Sequence, residues 1–550
     1  MSREKKRAED FLPFFLRETV MSGNIMEKGI RFYKRYGIRG GIATLTGKCQ
    51  IKDKDYEKWY EKHRVAEEEL KKQREHEFCY SPLISILTPV YNTPSKFLKE
   101  MIESVKSQTY INWQLCIANA NPNNKEVKRM LSIYSQGDER IKVIEVPENY
   151  GIAQNTNKAL EISEGDYIGL LDHDDILAPN ALYEIVNILN AENQPQIIYT
   201  NEDKINMDGK KHFQPNFKPE FNLDMLRSNN YICHFFVVEK QIVDQIGGFH
   251  SEYNGAQDHD FIFRCIEKTD KIIRIPKVLY HWRMHEASTA ENPASKNYAF
   301  EAGKRAIEDH LKRCGEKATV EMTEYSGFFR VRYKNDEKPT VSVVLVANKK
   351  KIPIEIVKKI VDEYDKDKVE ILIVGNRIYD KVKIKGINVK TIYWNKRYNK
   401  SLMINCGVKN SSGEYVLILP SHIKGVSDLY LQEFISNILR INVGIVGGKI
   451  YYSNETIKSA GIIKGRNETI KDAFKGLPKK CIGYMNRQSM QQDIEAVRVE
   501  NMMVKRKLWE EIGGIDILLK GIEQDYELAE KVRNRNLRVL YNPYLEIINS

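Results

Sequence analysis

The chain repeats one set of short motifs, once, at long range. Ile84-Ser85-Ile86-Leu87 is echoed by Val341-Ser342-Val343-Val344, and Ser163-Glu164-Gly165-Asp166-Tyr167 by Ser411-Ser412-Gly413-Glu414-Tyr415. Ile246-Gly247-Gly248-Phe249 returns as Ile512-Gly513-Gly514-Ile515, and Ile275-Pro276, more loosely, as Asn542-Pro543. The echoes keep their order, and their offsets run from 248 residues (163 to 411) to 267 (275 to 542). Solenoids repeat every ~20–50 residues, so this spacing argues for two copies of one domain in tandem. A length of 550 residues has room for both at roughly 150 or more residues each.

Within each copy, strand-like and helical runs alternate. Residues 83–87, 113–118, 140–146, 167–171, 196–199 and 278–280 read as strands, and 95–107 and 181–189 as helices. That alternation predicts an α/β domain with a largely parallel sheet flanked by helices. Residues 54–77 are densely charged and free of Gly and Pro, which reads as one helix acting as a connector. The expected layout is a basic, helical N-terminal segment at 1–80, a first domain at 81–333, a charged, Pro-punctuated linker at 334–340 and a second domain at 341–550.

Composition removes several alternatives. With 42% hydrophobic residues the chain can bury large cores, which excludes a disordered or collagen-like polymer. Its 8 cysteines are scattered without a CxxC pair, a pattern of reduced thiols rather than a disulfide scaffold or a zinc site. No apolar run reaches the ~18 residues that cross a bilayer. The start, Met-Ser-Arg-Glu-Lys-Lys-Arg, lacks a signal-peptide pattern. The expectation is a cytoplasmic protein. The net charge of +11 is uneven: residues 1–50 hold 11 Lys/Arg against 5 Asp/Glu. Phe11, Leu12, Phe14, Phe15 and Leu16 beside that charge suit peripheral contact with anionic headgroups at the inner face of the membrane. A solvated basic head is the plainer alternative. No nucleic-acid module accompanies it.

Three constellations carry chemistry. In the first, a buried-strand run ends in Leu171-Asp172-His173-Asp174-Asp175. Ligands of open α/β sheets bind beyond the carboxyl ends of strands. Carboxylates crowded there repel one another unless a cation offsets them, and oxygen donors favour Mg2+ or Mn2+. Helix capping near Pro179 explains one acid, not three. In the second, Gln257-Asp258-His259-Asp260 opens a helix after a Gly-Gly turn, where a carboxylate can act as general base or merely cap. The third is Tyr280-His281-Trp282-Arg283-Met284-His285, just past a strand.

Taken with Pro89-Val90-Tyr91-Asn92 and the Gly247-Gly248-Phe249 turn, these motifs over residues 82–315 closely resemble family 2 glycosyltransferases of the GT-A fold, a Rossmann-like sheet between helices. The resemblance implies inverting transfer of a sugar from a nucleotide diphosphate sugar, UDP- or dTDP-linked. It implies that Pro89, Tyr91 and Asn92 cradle the nucleoside. Asp172 and Asp174 match the DxD motif that contacts the ribose and the metal-bridged diphosphate, with Mn2+ or Mg2+ as the ion. Asp258 matches the catalytic base. His281 resembles the strand-end histidine that completes the metal shell in some relatives, with His285 as rival or phosphate contact, and Arg283 a candidate for stabilising the leaving diphosphate. One departure stands out: Ala118-Asn119-Ala120-Asn121 replaces the acid that grips base or ribose, leaving Asn119 as an uncharged substitute.

The second copy resembles the family more distantly. Pro420-Ser421-His422-Ile423 stands where the first copy has its acids, the base position falls at Glu523 or Gln524, and His281 is matched near Ile548. An inactive domain is expected there. The overall expectation is a metal-dependent transferase that extends a cell-surface glycan, free or lipid-linked, with nucleotide sugar as its other partner. A non-catalytic sugar- or nucleotide-binding scaffold is the alternative from another class. A nucleotidyltransferase is disfavoured, because no Gly-rich basic loop follows the first strand.

Overall fold

The computed structural model describes residues 51–191, 194–284, 297–347, 352–465 and 467–549. The basic head at 1–50 and His285 lie outside the described residues, as do the expectations attached to them. The chain forms two compact units, one of Lys52–Lys334 and one holding Asn335–Ser550.

The first unit begins with two helices, α1 (Asp53–His63) and α2 (Glu67–Glu75), where the charge pattern had suggested one connector. Arg64 turns extended and ends α1. Neither helix merely connects. α1 lies on the strand His212–Asn216 and buries Tyr56, and α2 buries Leu70 and Gln73. The α/β series follows: β1 (Ile84–Val90), α3 (Ser95–Lys106), β2 (Trp113–Asn119), α4 (Lys125–Gly137), β3 (Ile141–Glu145), α5 (Ile152–Glu161), β4 (Tyr167–Leu170), β5 (Ile176–Leu177) and α6 (Ala181–Leu189). Then come β6 (Ile197–Ile205), β7 (His212–Asn216), α7 (Leu223–Ser228), β8 (Phe236–Glu239), α8 (Lys240–Ile246), α9 (Gln257–Ile266), β9 (Ile272–Arg283), α10 (Asn297–Arg313), β10 (Ala318–Met322) and β11 (Phe329–Tyr333).

The sheet order is β3-β2-β1-β4-β8-β6-β9-β5, with β7 on β6. This is a GT-A-like α/β fold, but the sheet is mixed rather than mainly parallel. β1, β2, β3 and β4 run parallel, as do β6 and β9, whereas β8 runs antiparallel between β4 and β6 and β5 antiparallel to β9. β1 and β2 are buried on both faces, which is why they read as unbroken apolar runs. α3 shows why the helices dock. Its Phe97, Leu98, Met101, Ile102 and Val105 form one buried stripe at helical spacing. Because β1, β2 and β4 are parallel, their carboxyl ends share one edge, and that edge carries 89–92, 119–121 and 171–175.

The second unit has the same sheet. Its order runs Asn388–Tyr393, Val369–Gly375, Val341–Val346, Tyr415–Pro420, Met502–Lys505, Val443–Tyr451, Arg538–Asn549 and Ile423–Val426. Parallel and antiparallel pairings match those of the first unit. The thiols at 79, 116, 233, 265, 314 and 406 are free as expected, but Cys481 is disulfide-bonded, which corrects the reading of every cysteine as reduced. Among the described residues no helix is long and apolar enough to cross a membrane.

Candidate active site

The edge begins where β1 stops. Val90 is buried, Tyr91 is 44% exposed, and Asn92 takes a left-handed backbone that turns the chain away. Asn92 Oδ1 accepts from Asn121 Nδ2 at 2.7 Å. Asn119, expected to touch nucleotide, is fully buried. Its amide donates to Glu145 at 3.1 Å and its carbonyl accepts from the Asn121 N–H at 3.2 Å. It therefore positions Asn121 beside Asn92, and both its side-chain groups are committed within the protein.

The acids follow β4. Asp175 is buried and anchors the segment. One of its oxygens accepts from Tyr280 Oη at 2.5 Å, the other from the Arg283 backbone N–H at 2.7 Å. Burial, then the charges of Asp174 and Asp172, push its pKa well above the ordinary carboxylate range. Asp172 is half-buried, and its N–H donates to Tyr280 Oη at 3.3 Å. Its pKa is raised by burial first and by Asp174, against the pull of His234 and His173. Asp174 keeps 15% of its side chain exposed. Three carboxylates crowd this strand end, His173 Nδ1 lying 3.7 Å from Asp174, and a further positive charge would offset their repulsion.

Arg283 does not supply it. Its guanidinium is fully buried, donates to the Asp174 carbonyl at 2.8 Å and the Met207 carbonyl at 3.1 Å, and pairs with Glu100 at 2.7 Å. It clamps the backbone of the acid segment, so the expected contact with a leaving diphosphate is corrected to a supporting role. His281 is corrected too. Successive strand residues point to opposite faces, so with Tyr280 turned to Asp175, His281 turns away and bonds Asp203 at 2.6 Å.

The side chain that does join the acids is His234. Ligating atoms of Asp172, Asp175 and His234 lie within 4.8 Å of one another. The His234 ring stacks on Tyr280, with centroids 4.6 Å apart at 18°. Its Nε2 lies 3.2 Å from Cys233 Sγ, and that thiol donates to Asp258 Oδ2 at 3.6 Å. Asn230 Nδ2 donates to the same oxygen at 2.7 Å. Asp258 sits in the first turn of α9, where unpaired backbone N–H groups favour an anion. Asn230, Cys233 and His234 escaped the sequence reading because residues 229–235 are irregular and carry no periodic signal. Their one local hint is a Cys-His pair just before an apolar strand.

A divalent cation suits this donor set. Asp172, Asp175 and His234 bring two carboxylates and an imidazole within 4.8 Å of one another, beside Asp174, and burial makes Asp172 and Asp175 costly to ionise. Asp175, with both oxygens bonded, anchors the segment.

The profile of Glycosyl transferase family 2 matches residues 85–247, from β1 to the end of α8. An uncharacterized protein, y4gI, of Sinorhizobium fredii is 32% identical over 94% of this chain and 58% of its own length. The O-antigen biosynthesis protein RfbC of Myxococcus xanthus is 28% identical over 90% of this chain and 39% of its own length. The chain thus spans less than two thirds of these two relatives. The uncharacterized glycosyltransferase MJ1057 of Methanocaldococcus jannaschii is 31% identical over 37% of this chain and 71% of its own length. With the ordered motifs, the mixed GT-A-like sheet and the acids at its carboxyl edge, these matches carry one conclusion: the chain belongs to glycosyl transferase family 2.

Proposed function

We propose that the first unit is an inverting, metal-dependent glycosyltransferase. It takes a sugar from a nucleotide diphosphate sugar, UDP- or dTDP-linked, and joins it to a hydroxyl of a growing cell-surface glycan. The observation that carries this is the chain of contacts from Asp172 and Asp175 through His234 and Cys233 to Asp258, which sets one lone carboxylate beside an acid cluster. The nucleoside lies against Pro89, Tyr91 and Asn92. Asp172, Asp174 and His234 hold Mn2+ or Mg2+ beside the diphosphate. Bound there, the ion offsets the negative charge that grows on the departing diphosphate.

Asp258 takes the proton of the acceptor hydroxyl as its oxygen attacks the anomeric carbon. The bond from that carbon to the diphosphate oxygen breaks on the opposite face. One base suffices for such a single displacement, and inversion follows. Asn230 orients the Asp258 carboxylate and Arg283 fixes the acid segment. The RfbC name supports a surface glycan as acceptor, and the second unit, without acids at its matching strand end, is read as inactive.

Thermal melting tests the donor site. UDP, dTDP and GDP are each added with and without Mn2+ to wild type and Asp174→Asn. A ligand at 100 times its Kd adds about 2.7 kcal/mol of stability. A metal-dependent rise with one nucleotide, absent in Asp174→Asn, is expected. No rise with any nucleotide favours a non-catalytic scaffold.

A further inference from the structure

A second cluster of titratable side chains lies on the other face of β9, away from the acids. Asp203, near the end of β6, stands directly across the parallel ladder from His281. A tight turn brings His212, the first residue of β7, back to the same carboxylate. Asp203 accepts from His281 Nδ1 at 2.6 Å and from His212 Nδ1 at 2.8 Å. Helix α1 covers the group. Tyr56 Oη donates to Asp203 at 2.7 Å, the Tyr60 ring stacks on His212 with centroids 3.8 Å apart, and Tyr60 Oη lies 3.3 Å from His281 Nε2. The side chains of Asp203, His281 and His212 are only 0%, 3% and 14% exposed.

We propose that Asp203, His212 and His281 form a metal site of their own, for a zinc-class divalent ion. The observations converge. Two imidazoles and a carboxylate are a donor set that zinc and its neighbours prefer, and their ligating atoms lie within 4.8 Å of one another. They come from three strands that an ion would tie together.

The fold does not require the cluster. In the second unit the same ladder position pairs Tyr451 with Ile548, and the sheet closes with neither an acid nor a histidine at those two residues. The present N···O distances are those of hydrogen bonds. A tetrahedral ion with bonds of ~2.0–2.1 Å spaces its ligands by roughly 3.3 Å, so loading opens the β6–β7 turn by about half an ångström. Tyr60 Oη or a water supplies the fourth position.

The test uses the full chain, stripped with chelator and titrated with zinc in excess Mg2+, which occupies the acid cluster. One tight zinc per chain is expected. Asp174→Asn keeps it, and His212→Gln weakens it more than ~100-fold, beyond what loss of a supporting contact costs. Cobalt substitution of wild type gives the strong visible bands of four-coordination, a readout independent of how the variants fold. Wild type that binds no tight zinc and gives no such bands shows a hydrogen-bonded clamp and ends the proposal. So does zinc that is lost in Asp174→Asn and kept in His212→Gln.

Discussion

The two units share a strand order but differ in what stands at one strand end. Aligned through the ladders Ile84↔Tyr167 and Val341↔Tyr415, Asp172, His173, Asp174 and Asp175 correspond to Pro420, Ser421, His422 and Ile423. The ladders Asp203↔His281 and Tyr451↔Ile548 place Tyr280 opposite Ile547. The buried Asp175–Tyr280 hydrogen bond is therefore replaced by Ile423 and Ile547, two members of an apolar core. The sheet tolerates either solution, as expected where a buried polar pair is exchanged for well-packed apolar groups. The acids of the first unit are therefore not needed to close the fold.

Several buried charges of the second unit are neutralised internally. Arg498 pairs with Asp472 at 2.6 Å and with Asp525 at 2.9 Å. Glu500 takes both Lys400 and Lys458. Counted from the start of each helix, Asp258 corresponds to Glu523 and Asp260 to the buried, paired Asp525. The two units thus differ in kind: one gathers carboxylates at a strand end, and the other pairs its buried acids with Lys and Arg.

This contrast can be broken in several ways. The largest effect is expected at the base. Asp258→Asn should lower turnover by ~10²–10⁴ with donor binding kept, while Glu523→Gln leaves turnover unchanged. A comparable loss at Glu523, read in a sugar-transfer assay, would falsify the reading of the second unit as inactive. Next comes Arg498→Met, which strands two buried carboxylates. It should destabilise the second unit by about 3–5 kcal/mol in urea unfolding, and a change below 1 kcal/mol would count against internal neutralisation.

Acid titration sharpens the comparison further. Burial alone would raise Glu500, but Lys400 and Lys458 hold its pKa at about 2. Burial likewise opposes the bonds from Ser342, Ser412 and Lys390 that hold Glu370 at about 2. Such groups bind fewer protons folded than unfolded. Their stabilisation is present above pH ~4.5 and lost as pH falls toward ~2, with Glu500 worth about 3 kcal/mol. Asp172 and Asp175 have the opposite sign. Raised pKa values make the protonated folded form favourable at low pH, and that contribution is lost as pH rises through and above the ordinary carboxylate range. Hydrogen exchange at pH 3 and pH 7 should therefore show the segments around Glu370 and Glu500 weakening in acid. The smallest effect is Asp172→Asn without divalent ions. Removing one half-buried charge should raise the melting temperature by a few degrees, whereas a fall would mean the acids are already compensated within the protein.

Much of this was legible in local pattern. The apolar runs at 83–87 and 113–118 became β1 and β2 because strands buried on both faces must be apolar at every position. The acid motif after β4 was visible because five consecutive residues carry it. Two other kinds of feature were not. β8 is four residues long and antiparallel, and its place between β4 and β6 makes the sheet mixed, which no alternation of strands and helices announces. Helices α1 and α2 read as a connector because most of their surface is charged, although a few side chains such as Tyr56 and Leu70 pack inward.

By itself, then, the sequence determined two copies of one α/β domain, acids at one strand end of the first and none at the matching end of the second. Periodicity and spacing are properties of neighbours along the chain. The tertiary structure alone decided which way β9 turns its side chains. Pairing across 78 residues sends His281 to Asp203, while Tyr280 goes to Asp175. It also brought His234 and Cys233 from an irregular segment to the acids and the base. Such contacts depend on register and strand order, which are set by burial of the whole sheet and leave no mark in any short stretch of sequence.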